Sequence, residues 1–482
     1  MVAKIVGCGM SMSKFTQMLW GAALGCAVAC GSAFAITANP NVSMGKPLYV
    51  AGAVANDLDP LVYTDGKLDS NQITIVNDFA LNVGQGPSKL FITWDTRGDE
   101  AWASQDYVYA QGCLHNLAIG STLQNFKIMT SANSTNGVDG DWQIAAEIGE
   151  SGAASRGIAI DFEGMSWFRI LASTPAIYLE EVSAYDISNG GDDTWFFMGT
   201  SITQMGLKQY AVDSNFAQLI HARFPSYYPA MIRGGVACVT SQGVADALKY
   251  YAEYAGNVKY WAIEMGTNDA WVGNDYTVEQ FTRNMQMIID TAKAHGITPI
   301  IARMIATNPV YSGWQVPQEF LDAIDKLVRD NNLIPGPDFY NYFLAHPELI
   351  SEDGVHPANP AGGAAMHRLW AEAVAPLYMN KKPEPVIGAN AGTIGLKKMN
   401  DVKMVLPKVT VDGRSISISR VNEPVNVSIV DLSGHVVWKG RIGNPADGSL
   451  ESSNMLGEVP AGNYIVKIRG ATTSFKTRIS IR

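Results

Sequence analysis

The pattern of apolar and polar positions changes character twice along the 482 residues of the chain. From about Lys46 to Ile187, short apolar or aromatic runs are broken by clusters of Gly, Asn, Asp and Ser: Gln72–Val76, Lys89–Trp94, Phe126–Thr130, Trp142–Ile148, Ile158–Phe162, Trp167–Leu171 and Ala176–Ser183. Runs this short and this closely spaced, with no long amphipathic stretch, predict an antiparallel β-sandwich. From Thr194 to about Tyr378 strand-like runs (Trp195–Met198, Val258–Met265, Pro299–Ala306) alternate with stretches of helical spacing (Asn215–Ala222, Val278–Ala294, Gln318–Asp330, Ala361–Leu377). Strands separated by helices can pair in parallel, so an α/β region is expected, with helices on both faces of a mostly parallel sheet. Residues 381–400, rich in Pro and Gly, read as a linker. Beyond it, runs such as Ser415–Ser419, Val425–Val430 and Thr477–Ile481 predict a second, small β-sandwich. The expected units are therefore 36–188, 189–380 and 401–482.

Residues 1–35 follow a different logic. Lys4 and Lys14 supply positive charge, Met18–Ala29 is mostly apolar, and Ala33-Phe34-Ala35 has the small-x-small form of a cleavage site. This order reads as a secretory signal, with a mature start near Ile36 and the protein secreted or held on the outer surface of a bacterial cell. Acylation of Cys26 or Cys30 is the alternative, giving a lipid anchor. No other run of 18 or more apolar residues exists, so no further membrane span is expected.

Cleavage would leave only Cys113 and Cys238, in different units, and no disulfide framework is expected. The net charge of −10 would fall to about −12 without Lys4 and Lys14, and no basic tract offsets it. Nucleic acid is therefore not expected as a partner, and anionic membrane is a poor one on electrostatic grounds. With 47% apolar and 17% charged residues, each unit can bury a core.

Three segments carry candidate chemistry. Phe196-Phe197-Met198-Gly199-Thr200-Ser201-Ile202-Thr203 is an apolar strand running into a small-residue turn before a helix, which puts Ser201 at the carboxyl edge of the sheet. Val258–Met265 ends likewise in Gly266-Thr267-Asn268-Asp269, where Asn268 offers a side-chain N–H donor at the same edge. In Glu352-Asp353-Gly354-Val355-His356-Pro357, a carboxylate three residues before a histidine can turn back to accept its Nδ1–H, leaving Nε2 to take a proton. Each has an ordinary explanation alone: a helix cap, a turn, a stray Asp-x-x-His. Their shared place at strand ends makes them a constellation.

Those segments, in that order over about 190 residues, resemble the SGNH, or GDSL-like, hydrolase superfamily. The resemblance implies a flavodoxin-like three-layer α/β/α fold and ester hydrolysis through an acyl-enzyme, with no cofactor and no metal. By position it implies Ser201 as nucleophile, His356 as general base and then acid, and Asp353 as its partner. Asn268 and the Ser201 backbone N–H become oxyanion donors. Two departures stand out. The family's Gly-Asp-Ser reads Gly199-Thr200-Ser201 here, and the oxyanion glycine falls in Arg233-Gly234-Gly235-Val236-Ala237-Cys238, expected to be a loop after the second strand. Gly235 is the expected third donor, with Ala237 and Cys238 as alternatives by register.

Among the other histidines, His221, His295, His346 and His367 have no useful carboxylate nearby in sequence, and no His-Glu-x-x-His or Cys-x-x-Cys is present, so no metal site is expected. Trp271, Tyr311 and Trp314 are candidates for walls on which sugar rings stack, or for loop packing. Glu264 is an acid in an otherwise apolar strand, and its sequence context assigns it no role.

The first β region, through Gln143–Ile148, Gly157–Phe162 and Tyr178–Tyr185, resembles galactose-binding-like jelly rolls, which implies glycan binding or bracing of the enzyme. The last, through Val425–Gly440 and Gly457–Lys467, resembles sorting domains of proteins exported across bacterial outer membranes, and so implies association with a secretion machinery or the cell surface. Together these resemblances imply an acetylxylan esterase-like carbohydrate esterase acting on acylated plant polysaccharide. Peptidoglycan, pectin and lipid esters are alternative substrates, and a non-catalytic surface glycan-binding protein is the alternative of another class.

Overall fold

A computed structural model of the protein describes residues 36–56, 58–68, 74–96, 124–149, 156–174, 177–207, 214–271, 274, 276–381, 408–412, 415–419, 425–431, 435–442, 449–450, 459–469 and 474–481. The expected signal segment 1–35, Cys113 and the linker beyond Lys381 lie outside these residues.

Among the described residues, ten strands between Leu48 and Asp186 form two antiparallel sheets. The first runs in the order β2 (Ala53–Val54), β1 (Leu48–Val50), β4 (Asp78–Asn82), β9 (Trp167–Thr174), β6 (Gln124–Ser131), β7 (Gln143–Ile148). The second is β3 (Thr74–Val76), β10 (Ile177–Asp186), β5 (Lys89–Thr96), β8 (Arg156–Asp161). Because side chains alternate along a strand, Leu90, Ile92 and Trp94 of β5 meet Phe79 and Leu81 of β4 and Phe168 and Ile170 of β9 in one apolar core. The sequence pattern finds seven of these strands and misses β1, β2 and β4. β4 is hidden because the chain changes sheets across a single residue, Asn77, whose carbonyl accepts the N–H of Ala172.

The outward positions of the second sheet are not solvated. Phe91 of β5 and Tyr185 of β10 join the core of the α/β region, and Asp95 of β5 forms an ion pair with Arg233 at 2.6 Å, both side chains at most 3% exposed. Burying such a pair carries a desolvation cost that only close pairing offsets.

The α/β region holds β11 (Thr194–Gly199), β12 (Ala230–Gly235), β13 (Tyr260–Glu264), β14 (Thr298–Arg303) and β15 (Ile334–Asp338), all parallel, in the order β12-β11-β13-β14-β15. This is the 2-1-3-4-5 order of a doubly wound sheet, whose crevice opens beyond the carboxyl ends of the strands where the winding reverses, here β11 and β13. Among the described residues ten α-helices accompany it: α1 (Ser201–Leu207), α2 (Phe216–Arg223), α3 (Ser241–Asp246), α4 (Leu248–Ala255), α5 (Thr267–Ala270), α6 (Val278–Ala294), α7 (Pro309–Ser312), α8 (Gln318–Asp330), α9 (Phe339–Ala345) and α10 (Ala361–Tyr378). Adjacent residues of β11 show that both faces are covered. Phe196 meets Tyr251 of α4 edge-on, while Phe197 meets Phe216 of α2 and Trp370 of α10.

Helix positions follow the sequence pattern closely, since α6 and α8 fall on the expected residues and α2 starts behind the cap Asn215. Two strands differ from it. Arg233 to Gly235 are strand rather than loop, and β15 carries Pro335, Gly336 and Pro337, which hide it. As the sheet's edge, β15 can tolerate prolines that a central strand could not.

In the last region β16 (Lys408–Asp412), β17 (Ser415–Ser419) and β20 (Ser449–Leu450) form one antiparallel sheet. β18 (Val425–Val430), β19 (Val436–Ile442), β21 (Gly462–Arg469) and β22 (Ser474–Ile481) form another, and a small core is shared by Ile416, Ile418, Val427, Ile429, Val466 and Ile468. Among the described residues no helix is long and apolar enough to cross a membrane.

Candidate active site

Ser201 sits where β11 passes directly into α1. The carbonyl of Thr200 accepts the first helical hydrogen bond, from Gln204 N–H at 3.0 Å, so no spacer separates strand from helix. The half-buried Ser201 Oγ lies 2.8 Å from His356 Nε2.

His356 is presented by a tight loop before α10. Ile350 and Pro357 form an isolated β-bridge, and Ser351 N–H donates to the carbonyl of His356 at 2.8 Å. Inside the loop Asp353 is the organising acceptor. Its Oδ1 takes the Ser351 hydroxyl (2.6 Å) and the N–H groups of Val355 (2.8 Å) and His356 (3.0 Å), while Oδ2 lies 2.7 Å from His356 Nδ1. Partial burial pushes the Asp353 carboxyl up, but these hydrogen bonds outweigh it and hold the group down at about 2. A carboxylate at Nδ1 fixes the tautomer whose Nε2 can accept the serine proton. Gly354 is a glycine of necessity: its φ is +77°, and a Cβ would stand 2.5 Å from Ser312 N and 2.7 Å from Asn308 O.

Asn268 lies on α5, just beyond β13, and its Nδ2 donates to Val239 O at 2.8 Å. The α5 segment is thereby joined to the turn that follows β12. One amide hydrogen is used in this bond, and the group has a second to donate. Gly235, the donor expected from sequence, is the last residue of β12, and its α-carbon lies against α1, where a Cβ would come within 2.3 Å of Gln204 N. That close approach gives the glycine a packing reason.

Cys238, in the same turn, has a left-handed backbone (φ 57°) and is disulfide-bonded. Its partner lies outside the described residues. The sequence places Cys113 and Cys238 in different units and predicts no disulfide framework; that Cys238 pairs at all is not anticipated there, because sequence separation does not report the spatial approach on which pairing depends.

A buried polar layer supports these elements. Asp269 accepts from Ser241 N–H (2.9 Å to Oδ2) and Ser241 Oγ (2.5 Å to Oδ1), and Asn284 of α6 donates to the same hydroxyl at 3.1 Å. Burial raises the Asp269 carboxyl, and the Ser241 bonds counter that rise. Glu264 is fully buried at the end of β13 and receives the Thr203 hydroxyl at 3.1 Å; burial raises it to about 7, with hydrogen bonds from Thr203 and Thr200 holding it from going higher. Sequence reasoning overlooked Ser241, Thr203 and Asn284, since hydroxyls and amides inside helices carry no distinguishing signal until the fold shows what they face.

Trp271, directly after α5, lies 4.8 Å ring to ring from Trp314, and both are half-buried. The loop bearing Trp314 is fastened to the Asp353–His356 loop through Asn308 N–H and Gly354 O at 2.8 Å. The tryptophan pair therefore spans from the Asn268 side to the His356 side. Among the other described histidines, His221, His295 and His435 are exposed and His346 is half-buried. His367 is fully buried between Phe216 N–H and Leu207 O, and burial lowers it to about 4. Among the described residues no group of three or more His, Cys, Asp or Glu side chains is arranged to hold a metal.

No family model matches the sequence, and no curated protein matches it. Solved structures do show partial likeness. The lipase/acylhydrolase from Enterococcus faecalis is 20% identical with a TM-score of 0.32, covering 40% of this chain and 98% of that one. Axe2, an acetylxylan esterase from Geobacillus stearothermophilus, is 16% identical with a TM-score of 0.32, covering 38% and 93%. A Bacillus subtilis protein is 15% identical with a TM-score of 0.35, covering 62% of this chain and 80% of that one. At such identities and scores the site stands on its own geometry.

Proposed function

We propose that the protein is a serine esterase working through an acyl-enzyme. The observation that carries this reading is the chain of two short contacts, Ser201 Oγ to His356 Nε2 at 2.8 Å and His356 Nδ1 to Asp353 Oδ2 at 2.7 Å. In the proposed reaction Ser201 Oγ attacks an ester carbonyl as His356 Nε2 takes its proton, and Asp353 stabilises the imidazolium formed. The developing oxyanion is met by the Ser201 N–H, the second hydrogen of Asn268 Nδ2 and a donor from 235–238, with Gly235 the residue the sequence reading names. Each such donor is worth about 3 kcal/mol in the transition state. The alcohol leaves with the proton from His356, and water repeats the sequence to release the acid.

The substrate we propose is an O-acetylated plant polysaccharide, acetylxylan foremost. Support comes from the half-buried Trp271 and Trp314 beside the site, whose faces suit a pyranose ring, and from two solved acetylxylan esterases among the partial likenesses. The first two sheets are proposed as a brace, because Asp95–Arg233, Phe91 and Tyr185 weld them to the α/β region. Export through 1–35 and surface association through 401–482 complete the proposal. The test is hydrolysis of para-nitrophenyl acetate by the protein and by Ser201→Ala, followed by acetate release from a panel of acetylated polysaccharides. Equal rates for the two proteins would sink the esterase reading, and release from other glycans but not xylan would reassign the substrate.

A further inference from the structure

The contact between Ser201 and His356 joins two separately built parts of the molecule. One is α1, which continues β11. The other is the loop 350–358, closed on itself by Ser351 N–H to His356 O at 2.8 Å and Ala358 N–H to Leu349 O at 2.7 Å. A reacting bond is a poor fastener, because it is broken and remade in every turnover. Other contacts must hold the loop against the helix.

Asn359 supplies one. It stands three residues beyond His356, and its Nδ2 donates to the carbonyl of Met205 at 2.7 Å. Met205 is four residues beyond Ser201 in α1, one turn and about 6 Å further along the axis on the same face. Ser201–His356 and Met205–Asn359 are therefore two rungs between the same helix and the same stretch of chain. Two rungs a turn apart fix the orientation of the loop along α1, which a single contact leaves free. Beyond them α10 presses on the end of α1: a Cβ on Gly206 would run into Met366 Sδ, and His367 Nε2 lies 3.3 Å from Leu207 O. Asn359 itself is exposed, so its side chain fills no core and can be changed with little disturbance of packing.

The two rungs fare differently in the proposed reaction. During acyl transfer the Ser201 proton passes to His356 Nε2 and on to the leaving alcohol, and Oγ becomes an ester oxygen with no hydrogen to donate. The first rung is then gone. The Met205–Asn359 bond involves no reacting atom and persists.

We propose that Asn359 is a positioning residue for deacylation: it holds the His356 loop on α1 while Ser201 is acylated, so that His356 Nε2 stays in place for the attacking water. The inference rests on the serine-esterase reading. As the water oxygen bonds to the acyl carbon, its proton passes to Nε2, and that proton goes to Ser201 Oγ as the bond from carbon to Oγ breaks. Both transfers need Nε2 within hydrogen-bonding reach of atoms beside Ser201. Acylation starts with the Ser201–His356 bond already made, so deacylation depends more on the second rung.

The test is stopped-flow hydrolysis of para-nitrophenyl acetate by the full chain, Asn359→Ala, Asn359→Asp and Ser201→Ala, with an unfolding curve for each. Asp has the shape of Asn but, ionised, has no hydrogen to give the carbonyl. Both Asn359 variants are expected to release a burst of para-nitrophenolate stoichiometric with enzyme, then a steady rate about 10–100-fold below wild type. Because kcat/KM reports acylation alone, kcat and KM should fall together with kcat/KM held within about threefold of wild type. A general loosening of the site would instead lower kcat/KM along with kcat. That result, or wild-type kinetics in Asn359→Asp, with Ser201→Ala inactive, would overturn the Asn359 role alone. Asn359→Asp also decides if Asn359→Ala does not fold. Undiminished hydrolysis by Ser201→Ala would overturn both the role and the reading beneath it.

Discussion

Asn268 donates its side-chain amide to the carbonyl of Val239 at 2.8 Å, so the helix after β13 and the turn after β12 are fastened together at the crevice of the sheet. Asn268→Ala removes both this tie and a proposed oxyanion donor. The expected result is a kcat lower by about 10²–10³ with little change in KM. Asn268→Asp is expected to be worse, because a carboxylate cannot donate and would face the developing negative charge. Steady-state kinetics on para-nitrophenyl acetate check both, and an Asn268→Ala kcat within threefold of wild type would remove Asn268 from the site.

Behind Asn268, Asp269 binds the N–H and hydroxyl of Ser241 in a fully interior network with Asn284. Asp269→Ala strands buried donors and is expected to cost about 2–3 kcal/mol of stability. A urea unfolding midpoint unchanged from wild type would show the network to be idle.

Asp353 orients His356 but does not touch substrate in this account. Asp353→Ala is expected to slow turnover less than Ser201→Ala or His356→Ala, since the Ser351 N–H to His356 O bond still shapes the loop. Because its hydrogen bonds hold Asp353 at about 2, it stays ionised across any working pH. The acid limb of the wild-type rate profile should therefore not be its titration. A limb centred near pH 2, or full activity in Asp353→Ala, would contradict this.

His367 gives a dependence of stability, not of catalysis, on pH. Its folded-state value is lowered by burial to about 4 from an ordinary 6.5, so between those values the unfolded chain binds a proton that the native state refuses. Stability therefore falls as pH drops from about 6.5 to about 4, by about 3 kcal/mol. Asp193 and Glu264, both raised by burial to about 7, act oppositely: their contribution is present at low pH and is lost as pH rises towards 7. His367→Gln isolates the histidine, since the amide can accept from Phe216 and donate to Leu207. Its stability relative to wild type is expected to improve steadily on acidification from pH 7 to pH 4, and a difference independent of pH would refute the assignment.

Much of this arrangement is visible in the sequence, for identifiable reasons. The strands β11, β13 and β14 are mostly apolar because both faces are covered, and α6 and α8 carry a clear apolar stripe, so their periodicity is legible. The three polar segments at strand ends locate Ser201, Asn268, Asp353 and His356 by position alone. What is hidden depends on contacts between distant residues. The chain crosses sheets at Asn77, β15 is masked by its prolines, and the pairing of Cys238 in a disulfide has no local signature. The close approach of Gln204 to the α-carbon of Gly235 is likewise invisible in the sequence. Glu264 drew notice as an acid among apolar residues, but only the packing of α1 on β13 shows that it faces Thr203.

The central claim is that Ser201 is the nucleophile activated by His356. Treatment with a fluorophosphonate ester followed by peptide mass spectrometry tests it most directly. The expected result is one covalent adduct, on Ser201, absent from Ser201→Ala and formed far more slowly in His356→Ala. An adduct on another residue, or ester hydrolysis that continues with Ser201 unlabelled, would contradict it.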